Sequence, residues 1–141
     1  MAKKKFNSLI VKLTKNFHIS EFLCKDGSYL PFDVRQNVLE LAENLQVIRD
    51  YIGKPIHINS AYRSVSYNKK IGGVPNSQHI YGKAADITVK GLSSRKLARI
   101  IRKLIRKGKI KQGGVGLYNG FVHYDIRGYE AYWDYSSLFN W

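Results

Sequence analysis

The chain has 141 residues, 44% of them hydrophobic, which suits one compact domain with a real core and excludes a disordered tail. Its formal net charge of +14 favours an anionic partner, such as nucleic acid, a membrane surface or an anionic bacterial cell wall, without choosing among them. A single cysteine excludes an internal disulfide, and no segment is long and apolar enough to predict a transmembrane helix.

The N-terminal sequence MAKKKFNSLIVKLTKNF is basic and only briefly apolar. Its apolar run LIV ends at Lys12, which is too short for a signal peptide, and no small-residue cleavage site follows. We therefore expect a protein made in the cytoplasm without a signal peptide. We divide the chain into a basic arm, residues 1–14, and one domain, residues 15–141.

DVRQNVLELAENLQVIRDYIG, residues 33–53, predicts the first long helix. Asp33 is the expected cap, Gln36 stands at the capping-box position, and Gly53 follows the predicted end. Apolar residues recur at intervals of four and three, which predicts one buried helical stripe: Val34, Val38, Leu41, Leu45 and Ile48.

Shorter elements lie on either side of this helix. HISEFLCKDG predicts a helical turn capped by Ser20 and ended by Gly27. KPIHIN predicts a strand over residues 55–59, with His57 as a packed or edge histidine, and SVSYNKKIGG predicts a short helix. VPNSQHIYG predicts a loop that leads into the strand AADITV.

LSSRKLARIIRKLIRKG predicts the second long helix, capped by Ser93 or Ser94. Its apolar residues are expected to face inward: Leu97, Ile100, Ile101, Leu104 and Ile105. Arginines form the opposite stripe: Arg95, Arg99, Arg102 and Arg106. GGVGLYNG and FVHYDIRG predict a β-hairpin that turns at NG, and the tail residues Trp133 and Trp141 are expected to pack back onto the domain.

Alternation along FVHYDIR separates two faces, because successive side chains of a strand point to opposite sides. Val122, Tyr124 and Ile126 suit a core, so the other face carries four residues: Phe121, His123, Asp125 and Arg127. AADITV alternates likewise and turns Asp86 outward. Two neighbouring strands could therefore bring Asp86 and His123 to one point, and the preceding loop could bring His79 there.

Two imidazoles and one carboxylate with an open fourth position are what a catalytic zinc site requires. The small residues between His79 and Asp86 are expected to let the backbone pass close to the metal. A hydrogen-bonded His–Asp pair is the alternative interpretation. A closed structural zinc site would usually need four ligands, often cysteines, and the chain has one cysteine.

Three motifs in order carry a resemblance. SAYRS is followed by SQHIYGKAAD, of the form S-x-H-x-x-G-x-A-x-D, and then by GGVGLYNGFVHYDIRG. Over about residues 17–133 the chain resembles the zinc D-Ala-D-Ala peptidase family, and within it the small branch common in bacteriophages and bacteria. The resemblance implies a single α+β domain with a small central antiparallel sheet flanked by helices. It also implies an enzyme that trims or cuts peptides of bacterial peptidoglycan.

Position by position, the resemblance implies that His79, Asp86 and His123 bind Zn²⁺. Arg63 matches an arginine that holds a substrate carboxylate or the charge developing on the attacked carbonyl, and Ser77 matches a serine lining the site. Aromatic residues could form the walls of the substrate cleft: Tyr81, Tyr118 and Phe121.

The chain departs from the family pattern at one position. Many relatives carry an acidic general base three positions before the last ligand, and here that position is Gly120. Asp125 is the physical candidate instead, because strand alternation places it beside His123. It could accept a proton from water, or it could only orient a ligand.

The function that this resemblance implies is zinc-dependent hydrolysis of amide bonds in peptidoglycan peptides by a carboxypeptidase or endopeptidase, and we expect the enzyme to be a monomer. A phage endolysin that reaches the wall after release is one such enzyme. One alternative is a zinc-containing module that binds the wall without hydrolysing it. Nucleic-acid binding rests on charge alone, since the sequence has no recognition-helix signature, Gly-rich nucleotide loop or zinc-finger cysteines.

Overall fold

The first long helix, α1 (Phe32–Ile52), begins one residue before its predicted start in the computed structural model, which describes residues 11–136. Its N-cap is Pro31 rather than the predicted Asp33. The side chain of Pro31 cannot accept a hydrogen bond from the helix. Asp33 lies in the first turn instead, where its negative charge interacts favourably with the helix dipole. Gly53 ends α1 as predicted, with a φ of 74° and its N–H donating to the Arg49 carbonyl.

The predicted stripe of α1 is confirmed as core. Leu41, Leu45 and Ile48 are fully buried, and Val34 and Val38 lie beside them in the same hydrophobic cluster. Core packing of this kind, more than intrinsic helix propensity, stabilises a helix in a small domain.

Truncating this stripe should destabilise the fold. We expect Leu41→Ala or Leu45→Ala to lower the free energy of unfolding by about 2–5 kcal/mol, because each leaves a cavity in a close-packed interior. Denaturant unfolding measures this, with Glu43→Ala on the exposed side of α1 as the control, expected within about 0.5 kcal/mol of wild type. Two near-zero shifts at the leucines would contradict a core role.

Within the described part of the chain, five strands form one sheet in the order β1-β2-β4-β3-β5. Their bounds are β1 (His57–Ser60), β2 (Ala84–Thr88), β3 (Gly114–Tyr118), β4 (Phe121–Asp125) and β5 (Ala131–Asp134). Neighbouring strands among the first four are antiparallel, and β5 pairs with β3 in parallel. The α+β prediction is confirmed, although β5 makes the sheet mixed, and the exposed His57 lies on an edge strand as expected.

The two faces of the sheet differ as alternation predicts. Val122 and Tyr124 of β4 lie in the hydrophobic core, together with Val115 and Leu117 of β3. The helix α3 (Ser94–Arg106) shares this core through four buried residues: Leu97, Ala98, Ile101 and Leu104. The long helices therefore cover one face and leave the other for polar side chains.

Helix capping confirms the predicted Ser93 and corrects the predicted Ser20. Ser93 caps α3 by accepting from the Lys96 N–H at 3.1 Å, and Ser64 caps the short helix α2 (Val65–Lys70). The predicted helical turn is a 3₁₀ helix, Ile19–Phe22, but Ser20 lies inside it. The cap is His18, whose backbone N–H donates to Glu21 Oε2 at 2.8 Å.

The tail and the basic stripe complete the described fold. Trp133 packs back as part of β5, whereas Trp141 lies outside the described residues. The arginine stripe is not uniformly solvated, since Arg102 is half-buried with its guanidinium 3.9 Å from the Tyr132 ring centre. No helix among residues 11–136 is long and apolar enough to cross a membrane.

Candidate metal centre

Three buried side chains converge on the face of the sheet opposite the long helices. His79, Asp86 and His123 each offer one ligand atom, and these atoms all lie within 4.8 Å of one another. Asp86 Oδ1 is 3.2 Å from both His79 Nε2 and His123 Nδ1. The convergence follows the strand register, because Asp86 and His123 are directly paired between β2 and β4. The predicted meeting of these residues is therefore observed.

His79 comes from the loop and is held at its second ring nitrogen. Its Nδ1–H donates to the Ala61 carbonyl at 2.7 Å, which leaves Nε2 facing Asp86. The loop is tied down further by two backbone contacts: Ser77 Oγ accepts from the His79 N–H, and the His79 carbonyl accepts from the Arg63 N–H. A hydrogen bond like the one from Nδ1 to Ala61 fixes the tautomer and ring orientation of a ligating histidine.

Gly82 has a different purpose from the one predicted for it. Its φ is 71°, and a Cβ there would lie about 3.0 Å from Val38 Cγ2 and 3.1 Å from the Val34 carbonyl oxygen. The glycine lets the loop close onto α1, so the small residue serves approach to a helix rather than to the metal position.

His123 is held by a carboxylate on its own strand. Its Nε2–H donates to Asp125 Oδ2 at 2.7 Å, which leaves Nδ1 facing Asp86. Asp125 is fully buried, and Arg127 Nη2 also donates to Oδ2, at 2.7 Å. The other oxygen, Oδ1, accepts from the N–H of Gly114 and from both the backbone N–H and Nε of Arg127. Of the two predicted roles, this geometry favours orientation of a ligand over acceptance of a proton from water.

Electrostatics at the centre favour a positive charge beside His123. Burial alone would raise the pKa of Asp86, but the hydrogen bond with His123 and the adjacent His79 ring outweigh burial and hold that pKa well below its usual range. The pKa of Asp125 is depressed in the same way, with burial opposed by hydrogen bonds from His123 and Arg127. Two ionised carboxylates therefore flank His123.

The two imidazoles respond differently. Burial lowers the pKa of His79 and outweighs the favourable Asp86 carboxylate, so this ring is neutral, the form that ligates a metal. Burial would also lower the pKa of His123, but its hydrogen bonds with Asp125 and Asp86 raise it overall. A proton or a metal cation satisfies the same negative surroundings at Nδ1.

An open cleft of about 560 Å³ leads to these three residues. Arg63, Ser77, Tyr118 and Phe121 line it, as the sequence predicts for cleft residues. Tyr81 is exposed and is not among the lining residues. Asp86 is the single carboxylate among the described residues that line the cleft, and Asp125 lies behind His123.

Arg63 is braced at the edge of the centre. Its Nη2 donates to Asp86 Oδ2, its Nε to Ser60 Oγ and its Nη1 to Asn68 Oδ1, each at 3.2 Å. Asn68 is a buried residue of α2 that the sequence analysis missed, because nothing in the local sequence indicates that this polar side chain is buried. A Cβ at Gly73 would run into the Asn68 side chain, so the following turn leaves room for this brace.

An aromatic wall faces the cleft from β3, β4 and β5. The Tyr118 ring stacks on Phe121 with centroids 4.5 Å apart, and Tyr118 Oη accepts from Trp133 Nε1 at 2.9 Å. Gly116 makes this possible, since a Cβ there would meet the Trp133 indole. Trp133 lines the cleft, whereas the sequence predicted only that it packs back onto the domain. Its position follows from the pairing of β5 with β3, which the sequence did not predict.

The donor set fits zinc. Two imidazole nitrogens and one carboxylate oxygen converge at the foot of an open cleft, each imidazole is held at its other nitrogen, and the group contains no cysteine. Three such ligands with an accessible fourth position are typical of catalytic zinc, whereas structural zinc is enclosed by four ligands.

The fold and the centre together define an α+β domain that presents a two-histidine, one-carboxylate metal-binding group in a cleft. The family model Peptidase M15 matches residues 15–125, and the chain belongs to that family. The family predicted from the three sequence motifs is thus confirmed.

One relative is the protein named zinc D-Ala-D-Ala carboxypeptidase from Streptomyces albus G. It is 46% identical to this chain over 54 residues, which are 38% of this chain and 21% of that protein. The similarity therefore spans about a fifth of the relative's length.

Proposed function

We propose that this protein is a zinc metallopeptidase that hydrolyses amide bonds in the peptides of bacterial peptidoglycan. The observation that carries the proposal is the convergence of His79, Asp86 and His123 at the foot of a cleft, in a chain of the peptidase M15 family. The named activity of the Streptomyces relative supports the same substrate class.

His79 Nε2, Asp86 Oδ1 and His123 Nδ1 would hold the zinc ion. When bound, zinc supplies a Lewis acid that polarises the scissile carbonyl and lowers the pKa of a coordinated water to about 7. The protein's own contribution is rigidity, because a carbonyl on one side and a carboxylate on the other hold the two imidazole rings.

Arg63 would stabilise the negative charge that develops on the attacked carbonyl, or bind a substrate carboxylate. An arginine has five N–H donors, and three of its donor atoms are engaged with Ser60, Asn68 and Asp86. The braced guanidinium lines the cleft with 14% of its side chain exposed, which suits a preorganised anion contact.

Ser77 and Tyr118 both line the cleft and would contact the substrate. Ser77 Oγ already accepts from the His79 backbone, so it links the substrate side of the loop to a ligand. Burial raises the pKa of Tyr118 against the opposing Trp133 hydrogen bond, so its hydroxyl remains protonated at neutral pH.

Asp125 would act as the orienting partner of His123 rather than as the general base. The position where many relatives carry an acidic residue is Gly120, in the turn between β3 and β4 with a φ of 93°. That conformation favours glycine over an acidic side chain. Because Asp86 is the single carboxylate among the described cleft residues, a zinc-containing module that binds the wall without hydrolysis is the second candidate function.

The finer features of this function are also proposals. We propose a monomer that carries a basic arm, residues 1–14, ahead of the peptidase domain, and that reaches the wall after release, as a phage endolysin does. The net charge of +14 would favour contact with an anionic wall. We propose no specific nucleic-acid partner.

Mass spectrometry of purified peptidoglycan after incubation with the zinc-loaded protein tests the function. Loss of a terminal residue from peptide stems is expected for a carboxypeptidase, and separation of cross-linked stems for an endopeptidase. The His123→Ala variant is the matched control. Zinc binding and co-sedimentation with the wall, without any new product, would instead support the non-hydrolytic module.

A further inference from the structure

Arg127 completes a hydrogen-bonded chain that ends at the metal-binding group. Its Nε donates to Asp125 Oδ1 at 2.9 Å and its Nη2 to Asp125 Oδ2 at 2.7 Å, so the guanidinium grips both carboxylate oxygens. Asp125 Oδ2 in turn accepts from His123 Nε2 at 2.7 Å. His123 Nδ1, on the far side of the ring, faces Asp86.

The two-point contact sets the plane of the Asp125 carboxylate. A carboxylate held by one bond can rotate about its terminal torsion, whereas the planar fork of arginine matches both oxygens at once. Because Asp125 is fully buried, no water competes for these oxygens, and their direction is set by their protein partners. The direction of Oδ2 then determines where the His123 ring points.

The neighbouring strand is shaped to admit this pair. The Gly114 N–H donates to Asp125 Oδ1 at 2.9 Å. A Cβ at Gly114 would collide with Asp125 Oδ2 and would lie 2.8 Å from Arg127 Nη2, and a Cβ at Gly113 would collide with the Asp125 carbonyl. Two consecutive glycines at the start of β3 thus leave the space that the Arg127–Asp125 pair occupies.

We propose that Arg127 is a positioning residue for zinc binding: through Asp125 it holds the His123 imidazole with Nδ1 directed at the metal position, and Gly114 provides the room this requires. The proposal rests on the proposed function in taking zinc as the metal. It assigns a role to the arginine of FVHYDIRG. Strand alternation predicted that this arginine lies on the same face as His123 but predicted no function for it.

Zinc affinity, measured by competition with a chromophoric chelator, is the first readout. We expect Arg127→Gln to weaken zinc binding about 10- to 100-fold, the usual cost of losing an outer partner of a ligating histidine. Arg127→Lys should fall between Arg127→Gln and wild type, because it keeps the charge and loses the fork. Arg99→Gln, which removes an exposed arginine from α3, is the matched control and should bind as wild type does.

Asp125→Asn tests the route through the carboxylate. If Arg127 acts through Asp125, the double variant Asp125→Asn/Arg127→Gln should bind zinc about as weakly as whichever single variant binds it less tightly. The losses in zinc affinity from residues of one network are not additive. Fully additive losses would mean that Arg127 acts on zinc by another path, and would overturn the proposal.

A second readout is independent of zinc and of peptidase activity. In the metal-free protein, the His123 Nε2–H should give a hydrogen-bonded, slowly exchanging proton resonance, and Arg127→Lys and Arg127→Gln should accelerate its exchange. Thermal unfolding checks that both variants are folded, and if Arg127→Gln is not, Arg127→Lys alone decides. Unchanged exchange together with zinc affinity within about twofold of wild type would overturn the role of Arg127. A wild-type protein that binds no zinc, or binds it and cleaves nothing, would instead count against the proposed function.

Discussion

His79→Ala and His123→Ala are each expected to reduce the zinc content of the purified protein from one ion per chain to almost none. Each substitution leaves one imidazole and one carboxylate, and a two-ligand site holds zinc far more weakly than the three-ligand site typical of catalytic zinc. Elemental analysis after dialysis measures the effect. Peptidoglycan cleavage should disappear in parallel.

The matched control for this loss is His57→Ala. It removes one exposed histidine from the edge strand β1 that is not part of the metal-binding group, and it should leave zinc content unchanged. If His79→Ala and His123→Ala both retained full zinc, the ligand assignment would be refuted. Thermal unfolding of each variant separates loss of a ligand from loss of the fold.

The second large effect is expected at Arg63. Arg63→Ala should lower turnover about 100- to 1,000-fold, the typical cost of removing one donor to a developing oxyanion. The loss should appear mainly in kcat if Arg63 stabilises developing charge, and in KM if it binds a carboxylate of the bound substrate equally in both states. Steady-state kinetics on a short soluble stem peptide distinguish these cases.

Zinc content must accompany this measurement, because Arg63 also donates to the proposed ligand Asp86. Zinc retained with turnover lost supports a direct role in catalysis or substrate binding. Zinc lost with turnover would show that Arg63 mainly holds Asp86 in place. Wild-type turnover in Arg63→Ala would contradict both roles, and Arg99→Ala provides a surface-arginine control.

Residues of the centre were predictable to the extent that a strand or a motif carries them. Alternation along β4 placed His123, Asp125 and Arg127 on one face and indicated that a neighbouring strand could bring Asp86 to His123. The structure shows that this neighbour is β2, with Asp86 directly opposite His123. The motif containing His79 supplied the third ligand. The task of Asp125 was left open, because both a base and an orienting residue can stand beside a histidine.

The hydrogen-bond partners of Asp125 favour the orienting role. Asp125 is saturated by Gly114, His123 and Arg127, and one of these partners belongs to another strand. Asn68, which braces Arg63, is equally invisible in its own helix, because its partners are in the preceding loop and the following turn.

The sequence by itself determined the two long helices, the hairpin and the face on which each strand residue lies, because periodicity and turn chemistry are properties of consecutive residues. Only the tertiary structure decided that β5 adds in parallel beside β3, that Gly82 accommodates α1, and that Arg127 binds both oxygens of the buried Asp125 carboxylate behind His123. These features depend on which segments lie next to one another in the folded chain, because that proximity determines the hydrogen-bond partners and the close contacts.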